Sequence, residues 1–532
     1  MSLNEQRCTF AIISHPDAGK TTVTEKLLWF GGLLRKAGMV KSKSGDYAKS
    51  DWMELEKQRG ISITSSVMSF NYKDRPMHLL DTPGHQDFSE DTYRTLTAVE
   101  SVLMMIDSAK GVEAQTIKLM EVCRLRDTPI VTFMNKFDRD SMDPFELLEN
   151  LEKILSIQCV PMTWPIGHGV TFKGVYDFRN QKIMVYNDKF DPLDSKIIDA
   201  SDLSSPEVIE YIGVELKEKL EEDLEMVKEC ISPFNKDEYY AGIQTPVFFG
   251  SALFSFGVQE VLDMIHQFAP GPKIYPAKTY PVTDSSSLRD VAPTEDKLSG
   301  FIFKIQANMD KNHRDRMSFL RIVSGKLNRG DRVHHVRSGK DVKIATPIFF
   351  QAQDRDILDT AYPGDIVGIY DSGKYQIGDT FTNGEKIQFM GIPSFAPELF
   401  MKVTSKDPMK AKHLEKGLIQ LSEEGATQLF IRQVNNQKLL GAVGKLQFEV
   451  VKFRLEDEYK VEAIYEAMPF NGVRWLKFPD EKSRDHFISH NAQMIFKDGR
   501  NRFCFGFKTP WDLKLAQEKN PEVEFHTTSD KV

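Results

Sequence analysis

The 532-residue sequence predicts a multidomain protein that begins with an α/β domain, continues with a β-barrel and ends with an α+β domain. Its length is the first observation, because a chain of this size is too long for a single hydrophobic core. The second is a change of pattern, since strands alternating with helices give way to short strands with regular turns. We expect an α/β domain at 1–272 with an insertion at about 160–244, a linker at 273–299, a β-barrel at 300–392 and an α+β domain at 393–532.

The composition indicates a globular protein of the cytoplasm. Hydrophobic residues make up 41% of the chain and charged residues 27%, and no apolar stretch reaches the length of a membrane span. The first residues show no basic leader, so we expect neither a signal peptide nor a membrane partner. Five scattered cysteines argue against a zinc ribbon or a disulfide framework. Because the formal net charge is −8, any contact with RNA must use local patches.

The first candidate site is a loop between an apolar strand, TFAIIS at 9–14, and a helix, TTVTEKLLWF at 21–30. A helix N-terminus carries unpaired N–H groups and a partial positive charge, which suits phosphate. We expect Lys20 to reach the β- and γ-phosphates of a nucleotide and the Thr21 hydroxyl to bind Mg²⁺. The predicted phosphate loop consists of Ser14, His15, Pro16, Asp17, Ala18, Gly19, Lys20, Thr21 and Thr22.

A second loop follows the apolar run MHLL at 77–80 and contains Asp81, Thr82, Pro83 and Gly84. An aspartate at the end of such a strand can hold Mg²⁺ through a water molecule. The glycine lets a backbone N–H approach the γ-phosphate, because no side chain stands in the way. We therefore assign this loop to the same nucleotide site.

A third loop follows the strand PIVTFM and contains Asn135, Lys136 and Asp138. A carboxylate can accept two hydrogen bonds side by side, and the N1–H and N2–H₂ edge of guanine offers two donors. Adenine offers an acceptor and a C–H at the same edge, so Asp138 selects guanine. Asn135 is expected to support the loop and the base, and the stem of Lys136 is expected to pack on the ring.

A fourth loop follows the strand TPVFF and contains Ser251, Ala252 and Leu253, where a backbone N–H could meet guanine O6. All four strings occur in order, each at the end of an apolar strand, which chance does not explain. We therefore predict an α/β P-loop GTPase domain that binds GTP or GDP with Mg²⁺ at the carboxyl ends of its strands.

A polar segment at 41–60 is predicted to be the switch loop, because a long loop without periodicity in a compact domain is usually functional. An alternating strand, ISITSSVMSF at 61–70, is expected to follow it. This is the expected place for a hydroxyl that closes on Mg²⁺ when GTP is bound. The sequence leaves two candidates, Ser62 and Thr64.

With DAGKTT, RGISIT and DTPGH in hand, the chain resembles the translational GTPases related to elongation factors G and Tu. Five longer strings are SDWMELEKQRGISIT (50–64), DTPGHQDFSEDTYRTLTAVE (81–100), LRDTPIVTFMNKFDRD (125–140), FIFKIQANMDKNHRDR (301–316) and GAVGKLQFEVV (441–451). With these strings the chain resembles the bacterial peptide chain release factor 3 family over nearly the whole length. Two departures from the broader pattern are Ser14, where relatives carry alanine or glycine, and Ser62, where most carry threonine.

The resemblance adds roles for two residues near the γ-phosphate. It favours Ser62 over Thr64 as the Mg²⁺-binding hydroxyl. His85 stands where many signalling GTPases carry the glutamine that orients the attacking water, and histidine here is typical of GTPases that work on the ribosome. Arg59 lies three residues before Ser62, and from this position it would act either as an internal arginine finger or as an anchor of the switch through an acidic neighbour.

The last third of the sequence mixes a helix, LEKGLIQLSEEG at 414–425, with expected strands at LQFEVVKFRL (446–455) and KVEAIYE (460–466). The basic stretch 311–316 could meet ribosomal RNA or lie in a solvated loop. The acidic helix LKEKLEEDLEMVKEC at 216–230 presents either a solvated face or a docking face for a ribosomal stalk protein.

The resemblance implies a ribosome-associated GTPase that promotes dissociation of class I release factors after peptide release in translation termination. The implied partners are the ribosome, through its RNA and proteins, and class I release factors indirectly on the ribosome. We expect a monomer. Two alternatives stay open, another ribosomal GTPase such as a translocase and a signalling GTP switch. We expect no domain that enters the decoding site, which disfavours a translocase.

Overall fold

The computed structural model describes residues 7–33, 56, 62–186, 195–282, 286–307, 316–351, 354–391 and 396–528. The predicted switch loop at 41–60, including Arg59, therefore lies outside the described residues except for Glu56. Among the described residues, none of the helices combines the length and the apolar character needed to cross a membrane.

The first sheet has seven strands, and all but the first run parallel to one another. Its central strands are nearly continuous apolar runs because helices cover both faces and bury these strands on two sides. In spatial order the strands are Ser66–Tyr72, Arg75–Asp81, Cys8–Ser14, Ser101–Asp107, Ile130–Asn135, Gln244–Phe249 and Gln158–Pro161. The covering helices are Lys20–Phe30, Ala114–Arg124, Pro144–Leu155 and Val258–Phe268, and the short helix Ser89–Thr95 contacts the strand Ser299–Ala307.

The strand predicted for 61–70 begins only at Ser66. Two carboxylates take the preceding main-chain N–H groups away from the sheet. Glu56 Oε1 accepts from the N–H groups of Ile63 and Thr64 at 2.9 and 3.2 Å, and Asp91 Oδ2 accepts from Ser65 N–H at 2.7 Å. Hydrogen bonds from side chains thus replace the ladder that alternation predicted.

An additional antiparallel sheet of four strands lies within the predicted insertion. Its turn at Arg179 and Asn180 forms because Asp177 Oδ1 accepts from both of their main-chain N–H groups. The strands are Thr163–Ile166, Gly174–Asp177, Lys182–Tyr186 and Ser195–Asp199, and the helices that follow are Pro206–Ile212, Val214–Cys230 and Lys236–Tyr240.

The β-barrel part is an eight-stranded antiparallel sheet curled around one core. Val342 and Phe349, from strands near opposite ends of the strand order, pack against the same apolar cluster. The order is Lys340–Lys343, Arg332–His335, Thr380–Thr382, Ser299–Ala307, Arg316–Ser324, Ile366–Tyr370, Ile348–Gln351 and Asp354–Ile357. A two-stranded ribbon, Leu327–Asn328 with Thr360–Ala361, lies beside it.

The segment 273–299, predicted to be a linker, contains regular structure. Its strands Tyr275–Thr279 and Leu288–Val291 pair with each other, and the first also pairs with Ile387–Phe389. Tyr275 and Ala277 are buried in the core that the α/β part shares with the barrel. These strands were not predicted, because the segment is rich in proline and its alternation of buried and exposed residues is only a few residues long.

The last part, described over 396–528, is another eight-stranded antiparallel sheet with four α-helices. The sheet order is Ala463–Ala467, Leu399–Ser405, Lys438–Ala442, Gln428–Arg432, Ile495–Asp498, Phe503–Phe507, Gly472–Lys477 and Glu524–His526. The helices are Ala411–Glu423, Lys445–Asp457, Glu481–His490 and Pro510–Lys519.

The strand predicted at 446–455 is wrong, because this segment lies in the helix Lys445–Asp457. Phe448, Val451 and Leu455 are buried at three- and four-residue spacing, which is the helical period. The β-branched and aromatic content of the segment favoured a strand, and tertiary packing overrides that preference.

The basic stretch 311–316 is only partly described. Arg316 is buried, and its guanidinium bonds Asp371 Oδ2 at 2.8 Å and Glu423 Oε2 at 2.6 Å. Arg316 therefore joins the barrel to the last part of the chain and is not available to RNA. Residues 311–315 lie outside the described residues.

Candidate functional site

Four predicted loops meet at one edge of the seven-stranded sheet. They follow the strands Cys8–Ser14, Arg75–Asp81, Ile130–Asn135 and Gln244–Phe249, each at its carboxyl end. The first two strands are paired neighbours, and so are the last two. This edge is where parallel α/β sheets bind their ligands.

Asn135 connects the phosphate loop to the predicted guanine loops. Its Nδ2 donates to Ala18 O at 2.8 Å, and its Oδ1 accepts from Ala252 N–H at 2.9 Å. Gly19 has a φ of 93° and lies against the Asn135 amide, so a Cβ at position 19 would collide with Nδ2. Glycine is therefore required there both by the backbone and by the close approach.

The predicted base reader, Asp138, is already held by another predicted residue. Ser251 Oγ donates to Asp138 Oδ1 at 2.5 Å, and the Asp138 side chain is only 8% exposed. The sequence predicted a main-chain role at Ser251 and missed this role of its hydroxyl. The available signal was a serine placed after the strand next to the one that leads to the predicted base-reading carboxylate.

The three N–H groups of the fourth loop differ in their availability. Ser251 N–H donates to Phe256 O at 3.1 Å, and Ala252 N–H donates to Asn135 Oδ1. Within the described residues, Leu253 N–H is the one of the three for which the structure shows no acceptor. It is therefore the best placed of the three to meet guanine O6.

Lys136 has a partner that the sequence did not indicate. Its Nζ bonds Asp107 Oδ2 at 2.7 Å, and its backbone has a φ of 78°. Burial raises the pKa of Asp107, but the hydrogen bonds from Lys136 and Ala109 N–H outweigh it and leave that pKa below its usual value. Asp107 therefore stays ionised and fixes Lys136 beside the predicted base position.

The phosphate end contains a buried ion pair. Lys20 Nζ lies 2.5 Å from Asp81 Oδ1 and 3.4 Å from Ser62 Oγ, and the side chains of Lys20 and Asp81 are 6% and 2% exposed. Lys20 begins the helix Lys20–Phe30, so the phosphate loop also faces the positive end of a helix dipole. Thr82 Oγ1 anchors the next loop by donating to Ile12 O at 2.6 Å.

This donor set fits a divalent cation. Asp81 Oδ2 is buried and has no hydrogen-bond partner among the described residues. Such an atom is costly to leave unpaired, and oxygen from carboxylates and hydroxyls is what Mg²⁺ prefers. The Ser62 hydroxyl contacts Lys20, the partner of Asp81, whereas Thr64 N–H donates to Glu56 Oε1.

His85 follows this loop and is partly exposed. Its Nδ1 accepts from Asp87 N–H at 3.2 Å and lies 3.4 Å from Asp87 Oδ1. Its ring centroid is 6.2 Å from that of Phe88. The other histidine of the site, His15, pairs its Nε2 with Glu113 Oε1 at 3.1 Å.

The segment after His85 touches the last part of the chain, which the sequence did not reveal. Asp87 Oδ2 accepts from Leu446 N–H at 2.9 Å, at the start of the helix Lys445–Asp457. Gly444 lies so close to the Asp87 carboxylate that a Cβ would collide with it. Phe88 packs in a small apolar cluster with Ile63, Val450, Leu446 and Phe453.

Comparison with known proteins identifies the class of protein to which this chain belongs. Residues 5–271, half of the chain, match the family described as Elongation factor Tu GTP binding domain, so the chain belongs to the GTPases that carry this domain. Residues 297–384 match Elongation factor G domain 2, and residues 389–517 match Class II release factor RF3, C-terminal domain. The three matches together make it a translational GTPase of the release factor 3 type.

A solved structure supports the fold. The crystal structure of a protein from Thermus thermophilus is similar to this chain with a TM-score of 0.68 and 22% sequence identity. The similarity covers 89% of this chain and 71% of the other. The predicted order of an α/β GTPase domain followed by β-rich parts is thereby confirmed.

Proposed function

We propose that this GTPase promotes the dissociation of class I release factors from the ribosome after the finished peptide has been released. The observation that carries the proposal is the match of residues 389–517 to the C-terminal domain of class II release factor RF3, joined to a GTP-binding domain. A nucleotide switch can move a partner only through different affinities for that partner in two states. GTP favours a ribosome-bound form that disfavours the class I factor, and hydrolysis restores the weakly bound GDP form.

Guanine is recognised by the loops after the last two strands of the site. Asp138 accepts hydrogen bonds from N1–H and the 2-amino group, and Leu253 N–H donates to O6. Asn135 joins the base loops to the phosphate loop, and the Lys136 stem packs on the ring. The hydrogen bond from Ser251 Oγ to Asp138 supports this assignment, because it fixes the carboxylate before the base arrives.

The phosphates lie along residues 14–22, with Lys20 on the β- and γ-phosphates. The hydroxyls of Thr21 and Ser62 would hold Mg²⁺, and Asp81 would hold it through water. When bound, Mg²⁺ neutralises charge on the phosphate oxygens. The unpartnered Asp81 Oδ2 supports this set, as does the contact between Lys20 and Ser62.

His85 orients the water that attacks the γ-phosphate, so that the bond to the bridging oxygen breaks and GDP and phosphate leave. Because its Nδ1 accepts from Asp87 N–H, its Nε2 is the ring nitrogen that can contact the water. Gly84 N–H donates to the γ-phosphate. Movement of this loop on hydrolysis then carries the change away from the nucleotide.

The contacts beyond His85 support a path to the last part of the chain. Asp87 meets the N-terminus of the helix Lys445–Asp457, and Ile63, next to Ser62, packs on Val450 of the same helix. Both segments proposed to sense the γ-phosphate therefore touch one helix. A coupling of about 3 kcal/mol would weaken a partner on the order of 100-fold.

The test uses ribosomes halted at a stop codon that hold a labelled class I release factor after peptide release. Adding the protein with GTP should accelerate loss of the label, and GDP alone should not sustain repeated rounds. If the label stays while the messenger advances by one codon, the protein is a translocase. If neither occurs and ribosomes leave its GTP turnover unchanged, a signalling switch replaces both.

A further inference from the structure

The loop that carries the base-reading residues 251–253 is held from outside the nucleotide motifs. It turns back on itself, because Ser251 N–H donates to Phe256 O and Ser255 N–H donates to Ala252 O. Ser255 has a φ of 68°, an uncommon backbone for a residue with a side chain. Such a turn needs contacts that hold it, and the structure provides one on each side.

On one side the contact is Lys26, from the helix that begins the phosphate site. Lys26 Nζ donates to Ser255 Oγ at 2.8 Å, and Lys26 and Ser255 are 7% and 0% exposed. The ammonium also lies 4.7 Å from the centroid of Trp29. A lysine is rarely this buried, so its position depends on these contacts.

On the other side the contact is the sheet of the insertion. The ring of Phe256 packs edge to face on Phe172, with centroids 5.4 Å apart, and joins Val175 and Met184 in a buried cluster. At Gly174 a Cβ would come within 3.0 Å of the Phe256 ring. The insertion therefore fixes the end of the loop, and Lys26 fixes the residue before it.

We infer that Lys26 is a positioning residue for base recognition, which rests on the proposed guanine site. It acts through Ser255 on the loop whose Ser251 hydroxyl holds Asp138. Lys20 of the same helix is the proposed phosphate ligand, so this helix fixes both ends of the nucleotide. Without the ammonium the loop loosens, Asp138 loses its fixed position, and selection for the 2-amino group weakens.

The experiment measures dissociation of GDP and of IDP, whose base lacks the 2-amino group, from the full-length chain. Lys26→Met keeps the aliphatic stem and removes the donor, so GDP should leave about tenfold faster, as for the loss of a charged hydrogen bond. Because IDP never uses the amino contact, the GDP-to-IDP preference should fall by about threefold.

Two variants keep the test decisive. Ser255→Gly removes the acceptor while suiting the positive φ, so it should reproduce the loss even if Lys26→Met folds poorly. Lys217→Met removes a lysine that pairs with Glu221 in the insertion, and it should leave both rates unchanged.

Wild-type rates in Lys26→Met would overturn the inference. So would equal acceleration of GDP and IDP, since that result describes a structural lysine with no influence on the base. For a poorly folding Lys26→Met, an unchanged preference in Ser255→Gly would overturn it equally. No ribosome takes part, so these results are independent of whether the protein removes a class I release factor.

Discussion

The two ends of the nucleotide site are built differently. At the base end, the recognition groups are already joined by hydrogen bonds, from Ser251 to Asp138 and from Ala252 to Asn135. At the phosphate end, Lys20 pairs with Asp81, a contact that the proposed binding of phosphate and Mg²⁺ would replace. In the proposed site, binding the base would therefore need little reordering, whereas binding the phosphates would change the local contacts.

The two ends of the site also differ in the parts of the chain that they contact. The base loop rests on the helix Lys20–Phe30 and on the insertion, both within the α/β part. The phosphate end, through Ile63 and Asp87, touches the helix Lys445–Asp457 of another part of the chain. Under the proposed assignment, the nucleotide would be identified within one domain, and its phosphorylation state would be sensed where domains meet.

The largest effect is expected from a substitution that disrupts only the base end of the site. Asp138→Asn replaces an acceptor with a donor, so the 2-amino group of guanine would face a donor while the 2-oxo group of xanthine would accept. We expect GDP binding to weaken by about 2–4 kcal/mol, because charge-assisted bonds in a desolvated site are strong. Equilibrium binding of GDP and XDP checks this, and GDP affinity equal to that of the parent would show that Asp138 does not read the base.

The sequence predicted which loops meet at each end of the site but not which side chains pair there. At both ends each motif follows its own apolar strand, and the two strands are neighbours, so strand order alone brings the loops together. The pairs of Lys20 with Asp81 and of Ser251 with Asp138 depend on the distance between two loops, which no local pattern encodes. The resemblance, and not the spacing, selected Ser62 over Thr64.

The contacts between domains were the least predictable. The segment 446–455 was expected to be a strand, so the approach of a helix N-terminus to Asp87 could not be foreseen. Its helical period was present in Phe448, Val451 and Leu455, but β-branched and aromatic residues dominated the prediction. Gly444 also gave no signal, because its conformation is open to any residue and only the nearby carboxylate requires glycine.

A somewhat smaller effect is expected from a substitution that disrupts the phosphate end of the site and leaves the base end unchanged. His85→Ala should leave GDP and GTP binding nearly intact while ribosome-stimulated hydrolysis falls by about two orders of magnitude. Thr21→Ala is the matched variant, and it should weaken Mg²⁺-dependent GTP binding. Single-turnover hydrolysis and nucleotide binding separate the two, and equal loss of binding in both would make His85 structural.

The smallest effect is expected for the stability of the helix Val258–Phe268, which follows the loop with residues 251–253 and contains Glu260. Burial, reinforced by Asp177 and Asp263, raises the pKa of its carboxyl from 4.5 to about 7. The unfolded chain loses this proton near pH 4.5 and the folded chain only near 7, so stability falls as the pH rises between these values. Glu260→Gln should therefore stabilise the helix by about 2 kcal/mol at about pH 8 and hardly at about pH 4.5. Amide hydrogen exchange of the helix, compared with the exposed control Glu229→Gln at each pH, measures this. A gain of equal size at both pH values would mean that the protonation of Glu260 does not limit stability at the base end.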